Sequence, residues 1–240
     1  MKRQILYIPF TLKFLLLLLI GLAFGLGSLF LGIIISTFMK IGFSPTDALL
    51  ILLASLLGSG INIPIATLSS EIPVVEERYI RGFGVLYRLP VRSVLRKETL
   101  LAVNVGGAII PVLISVYLLA KFPSSIPIAS LGILIVASVT YAVAKPIKGV
   151  GIATPALLPP LTAALSAIFL TSLLKNPFSY EVEQGLFVTA YTGGVLGTLT
   201  GADLLNLSKI KKLGAPVASI GGAGTFDGIF LSGFLALLLI

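Results

Sequence analysis

Residues 14–38 read FLLLLLIGLAFGLGSLFLGIIISTF, twenty-five positions without one charged side chain. A helix needs about 20 apolar residues to cross the hydrocarbon of a bilayer. The apolar part of a cleaved signal peptide covers only about 7–15, so this run is read as a membrane span. Composition agrees, since the 240 residues are 57% hydrophobic and 11% charged, whereas soluble domains carry about a quarter charged residues. The expected class is all-α: a polytopic transmembrane helix bundle forming a single domain over residues 1–240, multi-pass in the cell membrane.

Apolar runs on either side of the basic segments divide the chain into seven spans. After Phe14–Phe38 come Pro45–Leu68, Thr99–Ala120, Pro127–Ala144, Pro155–Leu174, Gly185–Leu207 and Pro216–Ile240. Between the second and third lies a polar, basic segment, 69–98. Its apolar/polar alternation around Gly82 and Gly84 predicts a small cytoplasmic hairpin.

Basic residues set orientation. Fourteen of the seventeen fall on one side of a seven-span layout, leaving Lys40, Lys121 and Lys175 on the other. A miscount of one span would scramble that partition, so an N-in, C-out arrangement is expected. The net charge of +8 is thereby a matter of topology and membrane lipids, and no nucleic-acid partner is expected. Cys, His and Trp are absent. No disulfide framework can form, and zinc, haem and Cys/His nucleophilic sites lose their usual ligands and bases. No metal or cofactor is expected. The lack of oxidisable residues beside many Ile and Leu points to a thermophilic microbe, and hence to a bacterial inner or archaeal plasma membrane.

Two aspartates stand out, because a carboxyl group within a membrane is costly and usually has a task. Asp203 follows Gly201-Ala202 in the sixth span, and Asp227 follows Gly221-Gly222-Ala223-Gly224-Thr225-Phe226 in the seventh. The two spans are joined by the short 208–215 turn and must be antiparallel neighbours. Asp203 lies six residues before Lys209, about 9 Å inside the interface, and Asp227 eleven after Pro216, about 16 Å deep. If the carboxyls approach, they cannot both stay ionised cheaply, and the pair shares a proton. One member then activates a water while the other protonates a leaving group. Competing readings pair Asp203 with Lys209 or a cytoplasmic arginine and give Asp227 a structural hydrogen bond to a neighbouring helix. Gly222, Gly224 and Gly228 crowd around Asp227, suggesting irregular backbone beside a cavity where a substrate could approach.

At these residues the chain resembles the intramembrane aspartyl proteases, the presenilin and signal peptide peptidase group. That family carries one aspartate in a Tyr-Asp motif and another in a Gly-x-Gly-Asp motif, on adjacent antiparallel spans. Asp203-Leu204-Leu205 matches the first. Residues 222–232, Gly222 through Asp227 to Ser232, match the second. The resemblance implies catalytic roles for Asp203 and Asp227 and cleavage of a transmembrane peptide. Ala202 stands where the family has Tyr, and Thr225-Phe226 separate Gly224 from Asp227. The family's Pro-Ala-Leu motif follows its aspartates, whereas Pro155-Ala156-Leu157 precedes them here and is read as coincidence. The whole chain also resembles an uncharacterised family of small prokaryotic membrane proteins ending in this Gly-rich Asp motif.

Internal repetition supports a rival. Gly60-Ile61-Asn62 echoes Gly201-Ala202-Asp203, and Val105-Gly106-Gly107-Ala108 echoes Ile220-Gly221-Gly222-Ala223. A 3+1+3 plan of parallel repeats follows, as in some sugar transporters. Asn62, Asn104, Asp203 and Asp227 would then line a path for a small solute coupled to a proton or cation. A non-catalytic membrane scaffold is the third reading.

Overall fold

The computed structural model describes residues 10–82, 85–147, 151–173, 180–210, 215–222 and 228–240. It is mostly helical, with a sheet at one end. Helix α1 (Phe10–Met39) runs for 30 residues. Residues 12–30 are exposed throughout, as expected of an apolar helix whose first half packs on no other described element. Helix α2 (Pro45–Gly58) starts on a capping box. Asp47 N donates to Ser44 Oγ at 3.1 Å, and Ser44 N donates to the Asp47 carboxylate at 3.3 Å. Both orphan amides at that helix start are thereby satisfied.

Two helices are long and apolar enough to cross a membrane, Leu12–Met39 and Pro123–Val143. The apolar helices Pro45–Gly58, Val105–Lys121, Leu158–Ser172 and Gly228–Leu238 are shorter. The chain is therefore not all-α. Strand β1 (Asn62–Gly82) pairs antiparallel with β2 (Val85–Asn104) from Asn62↔Asn104 to Gly82↔Val85. The hairpin expected over 69–98 thus extends into the second and third expected spans. The reason is local. Asn-Ile-Pro-Ile-Ala-Thr-Leu (62–68) is rich in β-branched residues, and Pro64 would break a helix there. In β1, Pro64 sits at a register shift between Pro64 and Ala66, where its missing N–H is tolerated.

The expected seventh span also begins as a strand. β5 (Val217–Ile220) pairs in parallel with Leu100–Val103 of β2, giving the order β1-β2-β5. Gly221 and Gly222, at φ +83° and +98°, then turn the chain in a way that L side chains resist. Helix α8 (Gly228–Leu238) follows. The two halves of the Gly-Gly-Ala echo therefore start from strands that lie side by side.

Between these elements, a π-helical turn (Val105–Ile109) leads into α3 (Ile110–Lys121), and a 3-10 turn leads into α4 (Ile126–Val143). A short antiparallel pair, β3 (Lys145–Ile147) and β4 (Gly151–Ala153), precedes α5 (Leu158–Ser172). Helix α6 (Tyr180–Thr192) continues through π-helical stretches Gly193–Gly197 and Leu199–Asp203 to a 3-10 turn, Leu204–Asn206, and α7 (Leu207–Ile210).

The core lies where α1, α6 and α8 meet. Phe38 is fully buried, and its ring centroid lies 6.2–6.3 Å from those of Tyr191, Phe230 and Phe234. Small residues draw the helices together. A Cβ on Gly201 would strike the carbonyl of Ala137 and lie 2.8 Å from Thr140 Cβ, so α4 packs directly on the π-helical backbone. At the end away from the sheet, lysines tie the elements. Lys40 Nζ donates to Leu237 O at 3.0 Å and Lys121 Nζ to Gly42 O at 3.3 Å.

Candidate functional site

Asp203 ends the run Thr192-Gly-Gly-Val-Leu-Gly-Thr-Leu-Thr-Gly-Ala-Asp203. Three of its glycines, 193, 194 and 197, fall in the first π stretch, and Gly201 in the second. Few side chains resist the wider turn there, and π turns inside helices often mark functional sites. The end of the widened segment is held by Asn206, fully buried, whose Nδ2 donates to the carbonyls of Gly201 and Ala202, 3.0 Å each. Those are carbonyls that a helix end would otherwise leave unpaired.

The Asp203 side chain is half-buried. Its Oδ2 accepts the backbone N–H of Gly221 at 3.2 Å, which ties the end of the second π stretch to the turn after β5. That turn packs directly on Ala108: a Cβ on Gly221 would lie 2.5 Å from Ala108 Cβ and 2.8 Å from Ala108 N. Sheet, π turn and α6 thus converge on one carboxylate.

Asp203 borders a cavity of about 260 Å³. Thr198 and Ala202 line it from the same segment, and Val217, Ala218 and Ser219 from β5. Gly151 and Ile152 of β4, with Thr154 just beyond it, line it as well. Gly222, Gly228 and Ile229 complete the lining named here. With about 30 Å³ per water in the liquid, the volume accommodates roughly eight waters or a short peptide segment. Thr198 Oγ1 donates to Ser232 Oγ of α8 at 2.9 Å.

Of the residues singled out from sequence, Asp203, Gly222 and Gly228 meet at this cavity. Asp227 and Gly224 lie outside the described residues. Asn62 and Asn104 meet each other instead, at the base of the hairpin. Asn104 is buried. Its Nδ2 donates to Ser59 O at 2.7 Å and to Asn62 Oδ1 at 3.1 Å, and its Oδ1 accepts Gly107 N at 2.7 Å. Exposed Asn62 also accepts from Ser219 Oγ, which places it one hydrogen bond from the cavity wall. Lys209, a candidate partner for Asp203, holds its Nζ 4.8 Å from the Tyr141 ring centroid.

Sequence reasoning passed over Thr198 and the β4 wall. The small-residue run ahead of Asp203 was a usable signal for the first. For the second, the three-residue strand Gly151–Ala153 carries no motif of its own and reaches the cavity only through packing.

The model of one protein family, described as a protein of unknown function (DUF1614), matches residues 56–239. The chain belongs to that family. No curated protein and no solved structure matches it.

Proposed function

We propose that this DUF1614 family member is a multi-pass membrane protein that hydrolyses peptide bonds of membrane-embedded segments, with Asp203 and Asp227 as its acidic pair. The observation that carries the reading is the cavity beside Asp203. Gly222 and Gly228, the described residues that bracket Asp227 in sequence, both line it. Asp227 is one peptide bond from Gly228. In the reaction proposed, Asp203 holds a water and accepts its proton as the water oxygen bonds to the peptide carbonyl carbon. Asp227, carrying the shared proton, gives it to the amide nitrogen as the C–N bond breaks. The products are a carboxylic acid and an amine.

The sheet supports an extended substrate. β5 is an edge strand whose Val217–Ser219 stretch faces the cavity, and edge strands bind peptides by adding a strand. Small walls at Gly151, Ala218 and Gly222 leave room for that backbone.

The test is cleavage of a panel of transmembrane peptides by purified, reconstituted protein, with products identified by mass spectrometry. Parent protein should cleave at least one. Asp203→Asn and Asp227→Asn should each lower the rate about 10²–10⁴-fold, the usual contribution of a positioned acid or base. A parent inert toward the whole panel, or Asn variants as active as the parent, overturns the proposal.

One observation favours the second reading, solute transport coupled to a proton or cation through a 3+1+3 repeat. Leu100–Val103 and Val217–Ile220 run in parallel, and each is followed within a few residues by Gly-Gly. The lysine ties at the far end oppose it, since alternating access must open that end. Solute uptake into liposomes, abolished by Asp203→Asn, would select transport. Inertness in both assays leaves a scaffold.

A further inference from the structure

The geometry points to Thr198 as the residue that, with Asp203, orients a water in the cavity; this inference rests on the hydrolytic reading above. Thr198 and Asp203 both line the cavity and stand five residues apart. At 3.6 residues per turn, an α-helix would set positions five apart about 140° from each other. A π turn closes from residue i to i+5 and brings the two onto one face. Thr198 is the single residue between the two π stretches, and the second runs from Leu199 to Asp203. The widened turn therefore aligns this threonine with this aspartate.

The hydroxyl is also oriented unusually for its helix. Thr192, one stretch earlier, turns its proton back on the preceding turn and donates to Val188 O at 2.7 Å. Thr198 donates across to Ser232 Oγ at 2.9 Å, and both residues are buried. Paired with Ser232, the Thr198 oxygen still has a lone pair to offer a further partner. The ionised Asp203 carboxylate is likewise an acceptor. It receives Gly221 N and retains capacity beyond two bonds, since a carboxylate has about four lone-pair sites.

Two acceptors on one face fit a small molecule that carries two polar hydrogens. A water donates one hydrogen to each and turns its own lone pairs away from both, toward the remaining cavity. That is the orientation a nucleophile needs. Asp203 takes the proton when the water reacts. Thr198 exchanges none and is a positioning residue.

The test compares parent, Thr198→Val, Thr198→Ser, Ser232→Ala and Asp203→Asn proteins in liposomes with the cleavable peptides. Valine keeps the shape and removes the oxygen, and misplacement of a reacting group by about 1 Å costs on the order of 10²-fold. Thr198→Val should therefore lose about that factor in kcat with KM little changed, and serine should restore most of it. In parallel, the infrared band that disappears between parent and Asp203→Asn reports the Asp203 carboxylate, whether or not any peptide is cut. It should move in Thr198→Val and return in Thr198→Ser.

Thr198→Val with parental kcat and an unmoved band overturns the role of Thr198 while leaving hydrolysis standing. Asp203→Asn with parental activity overturns the hydrolytic reading beneath it. Should valine prevent folding, Ser232→Ala decides. Removing the Ser232 hydroxyl should also move the band and slow turnover, and an unmoved band with parental kcat refutes the inference.

Discussion

Replacing Gly221 by Ala should destabilise the protein by more than its backbone angle alone explains. Gly221 has φ +83°, and Gly42 has the same φ elsewhere in the chain. A side chain held in the left-handed region costs about 1–2 kcal/mol, and both substitutions incur that cost. Their surroundings differ. At Gly42 the nearest atom to an added Cβ is Lys121 Nζ at 3.2 Å, the far end of a flexible chain that can move. At Gly221 the added carbon lies 2.5 Å from Ala108 Cβ and 2.8 Å from Ala108 N. Carbon pairs rest at about 3.5–4.0 Å, so β5 and the Val105–Ile109 turn must separate by about 1 Å. Overpacking of that kind typically costs about 1–3 kcal/mol more. The shift also stretches the Gly221 N–H bond to Asp203, 3.2 Å at rest, and a hydrogen bond to a charged group is worth about 1.5–3 kcal/mol. The contributions are not additive. The expected total for Gly221→Ala is about 3–5 kcal/mol, against about 1–2 kcal/mol for Gly42→Ala. Equilibrium unfolding by SDS in mixed micelles, followed by tyrosine fluorescence, measures both. A Gly221→Ala protein no less stable than Gly42→Ala would refute the close packing of the β5 turn on Ala108.

Other substitutions test separate features in the same unfolding assay. Asn104→Asp replaces a buried amide that donates to Ser59 O and Asn62 by an acceptor. It should destabilise by at least about 2 kcal/mol, because Ser59 O loses its donor and a carboxylate is buried; parental stability would show that the hairpin base does not depend on that clasp. Phe38→Ala empties the centre of the aromatic cluster and should cost about 3–5 kcal/mol, a value below 1 kcal/mol meaning that α1 does not dock there. Lys40→Met removes the bond from a charged ammonium to Leu237 O and should cost about 1.5–3 kcal/mol. Its peptide cleavage should remain parental, whereas a transporter that must open this end would change its uptake rate.

Much of this architecture is legible along the chain, for reasons that differ by element. Pro45–Gly58 begins where Ser44, Pro45 and Asp47 say a helix begins. The residues around Phe14–Phe38 form one long helix because nothing in them could end it. The strands carry no such local signal. Residues 62–68, 99–104 and 217–220 are apolar enough to extend neighbouring helices, and periodicity cannot separate a short buried strand from a helix segment. Their state depends on one another, since Leu100–Val103 is a strand paired on one side with β1 and on the other with Val217–Ile220. A hydrogen-bond partner more than a hundred residues away leaves no local trace.

The same division holds at the site. Asp203 could be picked out from sequence alone because an acid in an apolar, glycine-rich run is costly and therefore conspicuous. Composition likewise established a membrane-compatible chain without cysteine or histidine chemistry. Tertiary contacts alone bring Asn62 and Asn104 together at the base of the hairpin, set β4 and Thr154 against the cavity, and put Thr198 beside it with Asp203. Each of these depends on packing. The π turns form where Gly201 lets α4 approach, and the cavity is the space left between elements that are distant in sequence. Cost is a property of a residue, whereas position is a property of its neighbours.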